Sequence, residues 1–206
     1  MNKLLTTLFA LAVASVTVLA HAQAPAATAP ATASPKSLEA KTAMCVGCHG
    51  IKGYQASFPE VHKVPMISGQ SAKYIISALT AYKQGDRKHP TMRSIAETLS
   101  EQDMNDIANY YAASGLAKGS TLADKPNKEP SAQVAALLQK AACVSCHGSN
   151  FARPIDPTYP KIAGQHADYM FVALKAYKTE NNPSVGRSNG VMGAIAKQFS
   201  NAELKS

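Results

Sequence analysis

One five-residue string occurs twice in this chain and constrains what the chain can fold into. It is Cys45-Val46-Gly47-Cys48-His49 in the first half and Cys143-Val144-Ser145-Cys146-His147 in the second, and the two strings contain all 4 cysteines. On a helical turn, residues i, i+3 and i+4 share one face, so the two thiols and the imidazole of each string project together. Two thiols at this spacing can form thioether bonds to the two vinyl groups on one porphyrin edge, and the imidazole can reach the iron from the same side. The string therefore predicts c-type haem attachment.

Two other uses of paired cysteines fit less well. Zinc ribbons place two cysteine pairs about 15–20 residues apart, whereas Cys48 and Cys143 are nearly half the chain apart. A thioredoxin-like site uses one reactive dithiol in a βαβ context, which this sequence does not indicate. Haem is therefore the favoured interpretation. A small helical domain has little apolar core of its own, and a buried porphyrin would add to it.

The similarity between the two halves extends beyond the cysteine strings. Residues 65–70 (PMISGQ) match residues 160–165 (PKIAGQ), and a similar helical pattern follows each segment. Further along, Met92 has its counterpart in Met192. The chain is therefore a duplicated domain, and each copy is expected to hold one haem.

Composition divides the chain into segments. Residues 1–24 have a basic residue near the start (Lys3), continue as an apolar run and end at small-residue cleavage sites, which is the pattern of a secretory signal peptide. A membrane anchor is the alternative, but the run is short for a span of about 20 residues. The other segments are an Ala/Pro-rich leader, the first domain, a linker and the second domain, over residues 25–36, 37–117, 118–130 and 131–206.

Apolar residues at helical spacing predict an all-α fold of two tandem domains. Helices are expected over residues 38–46, 71–84, 101–114, 132–144 and 167–178. Ser100 is a predicted N-cap, and Asp103 occupies the position of the acidic residue in a capping box. No segment shows the alternation of a half-buried strand.

The repeat also selects candidate iron ligands opposite each histidine. Only Met92 and Met192 match each other between the copies, and an axial methionine raises the reduction potential of a haem. Met66 is the main rival in the first domain, and the alternative for the matched pair is that both fill gaps in the core. The histidines outside the strings lack matching partners and are interpreted as surface residues: His62, His89 and His166.

Two prolines follow the strings at similar distances, Pro65 after His49 and Pro160 after His147. A haem-binding histidine usually needs an acceptor for its second ring N–H, which fixes the tautomer and the orientation of the ring. The backbone carbonyl of each proline, or of a neighbour, is a candidate for that acceptor. An ordinary turn proline explains the same pattern, and the sequence leaves both explanations open.

The chain has a formal net charge of +8, and the basic excess is spread over both domains. No basic arm or pattern of arginine with aromatic residues points to nucleic acid, so a nucleic-acid partner is not expected. A mildly basic exported protein is instead expected to use its charge to steer encounters with an acidic protein partner.

The strings, the Pro-x-Ile-x-Gly-Gln segments and the late methionines together resemble the di-haem cytochrome c4 family, from about residue 37 onward. The resemblance implies two class I cytochrome c domains related by a pseudo-twofold axis, in the periplasm, with two covalently bound haem c groups. It implies electron transfer from a quinol–cytochrome c reductase to a terminal oxidase, and it leaves peripheral membrane association through the leader open. The implied site residues are the attachment cysteines Cys45, Cys48, Cys143 and Cys146, and the axial pairs His49 with Met92 and His147 with Met192.

The second copy departs from that family at its end. A full helix follows Ser100 in the first copy, whereas the sequence stops shortly after Ser200 in the second. Unless the protein continues further, the second domain is expected to lack most of its C-terminal helix, to be less stable and to expose its haem more. Hydrogen exchange should then show weaker protection of residues 132–144 than of residues 38–46, and equal protection would contradict this expectation.

The sequence as a whole predicts an electron-transfer protein and not an enzyme. A di-haem peroxidase-like enzyme is one alternative, but it needs an open iron site, and Met92 and Met192 argue against one. An electron-transfer subunit of a periplasmic dehydrogenase is a second alternative, and a haem-based gas sensor lacks a signalling domain here. Carbon monoxide separates these classes, because capped iron resists the ligand and open iron binds it at once.

Overall fold

Two sets of short helices follow one another along the chain, one set for each copy of the repeat. The computed structural model describes residues 36–115, 125 and 128–206. The helices of the first copy are α1 (Leu38–His49), α2 (Ala72–Gln84), α3 (Pro90–Glu97) and α4 (Glu101–Ala113). Those of the second copy are α5 (Ala132–Lys140), α6 (Cys143–His147), α7 (Ala167–Lys178), α8 (Gly190–Ala196) and α9 (Asn201–Lys205).

Several predicted segments fall outside the described residues. These are the signal peptide (1–24), the leader (25–36) apart from Lys36, and most of the linker (118–130). Within the ranges that the structure does describe, no helix combines the length and the apolar character needed to cross a bilayer.

The predicted all-α class is confirmed, with a small correction. Four strands of two residues each occur among the described residues, where the sequence predicts none: β1 (Gln55–Ala56), β2 (His62–Lys63), β3 (Arg87–Lys88) and β4 (Gly186–Arg187). Strands this short cannot show the alternation that identifies a strand in a sequence. The β1–β2 pair lies within the first copy, whereas the antiparallel β3–β4 pair joins the two copies.

The β3–β4 pair also reveals how the copies are related. Arg87 lies opposite Arg187, its own counterpart in the repeat, and Lys88 lies opposite Gly186. On the other side, the Ser188 N–H donates to the Asp86 carbonyl at 2.6 Å. Exchanging the two copies turns the Lys88–Gly186 contact into the Ser188–Asp86 contact. A pseudo-twofold axis therefore passes between the two arginines.

The helix that carries the second cysteine string differs from its prediction. One helix is expected over residues 132–144, but Ala142 adopts a left-handed conformation (φ 50°, ψ 36°) that separates α5 from α6. A residue with a β-carbon pays roughly 1–2 kcal/mol for this conformation. Alanine is the best helix former, so the sequence carries no signal for the break. In the first copy, α1 instead continues unbroken through His49.

The core of the first copy lies between α2 and α4. Its largest buried side chains are Ile75 and Leu79 of α2 and Met104, Ile107 and Tyr111 of α4. Burying such side chains contributes roughly 1.5–3 kcal/mol each. The buried apolar residues of the second copy are mostly small: Ala152, Val172, Ala173, Ala176, Ala196 and Phe199. The second core therefore has less bulk of its own.

The capping box predicted at the start of α4 is confirmed. The Ser100 hydroxyl accepts from the Asp103 N–H at 3.1 Å, and the Asp103 carboxylate accepts from the Ser100 N–H at 3.2 Å. Lys41 of α1 pairs with Asp103 at 3.0 Å and with Asp106 at 2.5 Å. Hydrogen bonds from Ser100 and Lys41 lower the pKa of Asp103 to about 2. The start of α4 thereby holds α1, the helix that carries the first cysteine string.

We expect Ser100→Ala to lower the free energy of unfolding of the first domain by about 1 kcal/mol, because the first turn of α4 loses its cap. Urea unfolding of the matured protein, followed by far-ultraviolet circular dichroism, measures this loss. Ser94→Ala is the matched control, since the exposed Ser94 hydroxyl only donates to the Pro90 carbonyl within α3. Its effect should stay within about 0.5 kcal/mol, and equal losses in both variants would show that the cap contributes nothing special.

Candidate functional site

The two histidines of the cysteine strings are held in the same way. His49 Nδ1 lies 2.8 Å from the Pro65 carbonyl oxygen, and His147 Nδ1 lies 2.9 Å from the Pro160 carbonyl oxygen. A carbonyl only accepts, so each Nδ1 carries the proton and donates it. Each Nε2 is thereby left with a free lone pair, which is the tautomer that a metal requires. The proposed proline acceptors are confirmed.

The rings of His49 and His147 are both at least partly shielded from solvent. His147 is buried, and His49 is half-buried. Burial lowers the pKa of His49, although the hydrogen bond to the Pro65 carbonyl partly opposes that shift. A neutral imidazole is the form that coordinates iron, so burial of His49 favours the ligating state of that ring.

The four cysteines of the strings are half-buried and form no disulfide: Cys45, Cys48, Cys143 and Cys146. Burial raises the pKa of the Cys45 thiol and of the Cys143 thiol. A reactive redox dithiol has a lowered pKa instead. Cys45 also packs against the core of the first copy. An apolar group bonded to the Cys45 sulfur would therefore extend that core.

The matched methionines occupy equivalent places. Met92 and Met192 are each the third residue of a short helix, α3 or α8, and each backbone N–H donates to the side chain of the N-cap residue. The acceptors are His89 Nδ1 at 3.4 Å and Asn189 Oδ1 at 2.9 Å. Both methionine side chains are half-buried. The two methionines thus occupy the same helix position with the same type of N-cap contact, and their ligation to iron stays a prediction.

The rival methionine is placed differently. Met66 is 43% exposed, and it directly follows Pro65, whose carbonyl accepts from His49. Met92, in contrast, packs against the same buried cluster as Cys45. Met92 is therefore the better placed of the two to face the group that Cys45 anchors.

The interpretation of His62 as a surface residue is wrong. His62 is 5% exposed, its Nδ1 donates to the Glu60 carbonyl at 2.8 Å, and its ring stacks on Tyr169 of the second copy. The other two histidines are half-buried, with His89 serving as the N-cap of α3 and His166 preceding α7. Burial of His62 arises from the contact between the copies, which the sequence of one copy does not reveal.

A second feature that the sequence does not reveal is a cluster of two arginines and four tyrosines between the copies. The Arg87 guanidinium lies over the rings of Tyr74 and Tyr82, and the Arg187 guanidinium lies over those of Tyr169 and Tyr177. Arg87 Nε is inaccessible to solvent and has no hydrogen-bond partner. Among the described residues, neither arginine forms an ion pair with a carboxylate.

The two positive charges of this arginine–tyrosine cluster are not balanced by a carboxylate among the described residues. Burial raises the pKa of the Tyr169 phenol, but the two guanidinium groups more than offset this and bring it to about 8. Arg187 donates to that phenol at 2.9 Å and Arg87 at 3.4 Å. Charges shielded from water are normally paired, so the two guanidinium groups would suit anionic partners.

These residues fit a haem in each copy. The strings supply two thiols and an imidazole with a free Nε2. The core of the second copy has less bulk than that of the first, and the cluster between the copies has two guanidinium groups that form no ion pair with a carboxylate among the described residues. A porphyrin is a large apolar ring with two carboxylates at one edge. The donor set and its surroundings therefore match the group that the cysteine strings predict.

Comparison with known proteins agrees with this geometry. The family model described as cytochrome c matches residues 38–113 and again residues 131–206. A cytochrome c4 from Pseudomonas aeruginosa is 31% identical over 211 residues, which covers 99% of this chain and 94% of that protein. The chain belongs to the cytochrome c4 family. It therefore carries two covalently bound haem c groups, and it is an electron-transfer protein and not an enzyme.

Two further cytochrome relatives are informative. The crystal structure of reduced recombinant cytochrome c4 from Pseudomonas stutzeri superposes with a TM-score of 0.58 at 25% identity, covering 82% of this chain and 92% of that one. A protein described as a thiosulfate dehydrogenase electron acceptor, from Thiomonas intermedia, is 26% identical and covers 80% of this chain and 76% of that protein. The first likeness supports two tandem cytochrome c domains in one chain.

Proposed function

We propose that this cytochrome c4 is a periplasmic electron carrier of a respiratory chain, which accepts electrons from a quinol–cytochrome c reductase and passes them towards a terminal oxidase. The observation that carries the proposal is the pairing of two equivalent sites, each with a histidine held by a proline carbonyl and a methionine at the start of a short helix. A carrier needs iron with both axial positions filled, because an open position invites ligand binding and chemistry.

The residues proposed for each haem follow from the strings and the repeat. Cys45 with Cys48, and Cys143 with Cys146, hold the thioether bonds. The axial pairs are His49 with Met92 and His147 with Met192. Bound iron supplies the chemistry, because it alternates between the ferrous and ferric states by one electron.

The protein's own contribution is to fix these ligands. The Pro65 and Pro160 carbonyls accept from the histidine Nδ1–H groups and prevent the rings from rotating. The N-caps of α3 and α8 fix the backbone at the two methionines. Ligands held in this way need little rearrangement when the charge of the iron changes, which suits rapid electron transfer.

The arginine–tyrosine cluster gives the two sites a common boundary. We propose that Arg87 and Arg187 hold haem carboxylates there, in place of the carboxylate side chains that they lack. Because β3 and β4 place both arginines beside the pseudo-twofold axis, the carboxylate edges of the two haems would face each other across the domain contact. That arrangement supports electron transfer from one domain to the other.

We expect Met92→Ala and Met192→Ala each to remove one of two methionine–iron charge-transfer contributions from the absorbance spectrum of the ferric protein. The matured protein should contain two haems per chain, and each variant should bind carbon monoxide at one iron when reduced, because one axial position is open. Met66→Ala is the matched control and should leave both signals unchanged. Loss of the band in the Met66 variant would transfer the ligand role to that residue.

A second candidate partner is supported by the Thiomonas relative. That protein is described as an electron acceptor for thiosulfate dehydrogenase, and this chain covers 76% of its length. The proposal is that a periplasmic dehydrogenase acting on a small sulfur oxyanion reduces this cytochrome. The net charge of +8 suits docking on an acidic face of either donor.

Stopped-flow reduction of the ferric protein distinguishes the two donors. With a purified quinol–cytochrome c reductase and quinol, we expect rapid reduction whose rate falls as salt is raised from about 0.01 to 0.15 M, because the Debye length shrinks from about 30 to 8 Å. A thiosulfate dehydrogenase with thiosulfate is tested in parallel. Faster reduction by the dehydrogenase would favour the second candidate, and salt-independent rates would contradict electrostatic docking.

A further inference from the structure

Two glutamines cross between the domains and bind matched positions. The Gln70 side chain donates from Nε2 to the Lys161 carbonyl at 2.9 Å and accepts at Oε1 from the Lys161 N–H at 2.9 Å. The Gln165 side chain makes the same two contacts with Met66, donating at 2.9 Å and accepting at 3.0 Å. We call these two sets of contacts the crossed clasps. They are related by the pseudo-twofold axis.

Each clasp is anchored in its own domain. Gln70 Oε1 also accepts from the Ser71 N–H at 3.2 Å, and Gln165 Oε1 accepts from the His166 N–H at 3.0 Å. Gln70 is buried. The Gln70 amide is therefore fixed at the start of α2, and the Gln165 amide at the start of α7. From these positions each amide binds the backbone of the other domain.

Each glutamine accepts a hydrogen bond from the peptide group whose carbonyl accepts from an axial histidine. The N–H of Met66 and the carbonyl of Pro65 belong to one peptide group, whose oxygen accepts from His49 Nδ1–H. The chain of hydrogen bonds therefore runs from His49 through this peptide group to Gln165 of the other domain. Hydrogen bonds in series polarise one another, so the Gln165 amide strengthens the Pro65 carbonyl as an acceptor.

The same chain exists in the opposite direction. His147 Nδ1–H donates to the Pro160 carbonyl, and the N–H of the same peptide group, on Lys161, donates to Gln70 Oε1. The second contact of Gln70, with the Lys161 carbonyl, fixes the next peptide group as well. Each axial histidine is thus oriented by its own domain's proline and by the opposite domain's glutamine.

We propose that Gln70 is a positioning residue for the haem of the second domain and Gln165 for the haem of the first. The inference rests on the proposed axial roles of His49 and His147. A hydrogen bond at Nδ1 raises the basicity of an axial imidazole and so favours ferric iron. Contact between the domains therefore lowers the reduction potential of each haem through the other domain's glutamine.

The test uses the matured full-length protein with Gln70→Met and Gln165→Met, which keep the side-chain length and remove the amide. In the reduced protein, nuclear magnetic resonance follows the exchange of each axial Nδ1–H with solvent. Gln70→Met should speed exchange at His147 by about tenfold, the change expected when about 1.4 kcal/mol of hydrogen bonding is lost. It should also raise the potential of the second haem, with His49 and the first haem unchanged.

Gln165→Met should give the reciprocal result, faster exchange at His49 and a higher potential for the first haem. To assign each measured potential to one haem, each glutamine substitution is combined with Met92→Ala or Met192→Ala, because each methionine substitution is expected to alter one haem only. Lys175→Met is the control for a weakened domain contact, because Lys175 forms an interdomain ion pair with Glu60 and lies outside both clasps. It should leave both Nδ1–H exchange rates at their original values.

Three results would overturn the inference. They are a change confined to the haem of the mutated domain, no change at either histidine, and an equal change in the Lys175 variant. Haem content and circular dichroism of each variant show whether it has folded, and the reciprocal variant provides an independent test if one does not. If the unmutated protein shows no Nδ1–H signal from an axial histidine, the proposed ligation itself fails. If those signals are present but neither glutamine substitution changes them, only the inference about the glutamines fails.

Discussion

The hydrogen bond from a histidine Nδ1–H to a proline carbonyl is the interaction on which both sites depend. It occurs at 2.8 Å in the first domain and at 2.9 Å in the second. It leaves the lone pair of Nε2 free and fixes the plane of the ring, which is the arrangement that the proposed axial role requires. The rest of each domain serves this bond: a helix presents the histidine, a loop presents the proline carbonyl, and α2 or α7 begins just after that loop.

The chemistry of the site was predictable from the sequence because it is local. Two thiols and an imidazole within five residues must share a face of a helix, and a repeat exposes which methionines and prolines recur in both copies. The capping box at Ser100 is local in the same sense, since its partners are three residues apart. Class and cofactor followed from such patterns, and so did the proline acceptors as one of two open explanations.

The features that the sequence did not reveal depend on contacts between distant residues. His62 is buried because Tyr169 of the other copy covers it, and the strands β3 and β4 exist only because the two copies meet. The matched glutamines were visible in the repeat, but equal spacing cannot show that each one reaches into the opposite domain. The left-handed Ala142 differs again, because neither a glycine nor a proline marks it.

The two copies carry matching candidate ligands in unequal surroundings. In the first, α1 is unbroken through His49, and Lys41 ties it to α4. In the second, α6 is separate from α5, and a β-carbon on Gly148 (φ +81°) would lie 2.3 Å from the Arg153 carbonyl oxygen, so the close loop after the string requires glycine. Burial and hydrogen bonding tune the potential of a haem when its ligands are the same. Unequal surroundings therefore favour unequal potentials, and an electron entering the chain would settle preferentially on one domain.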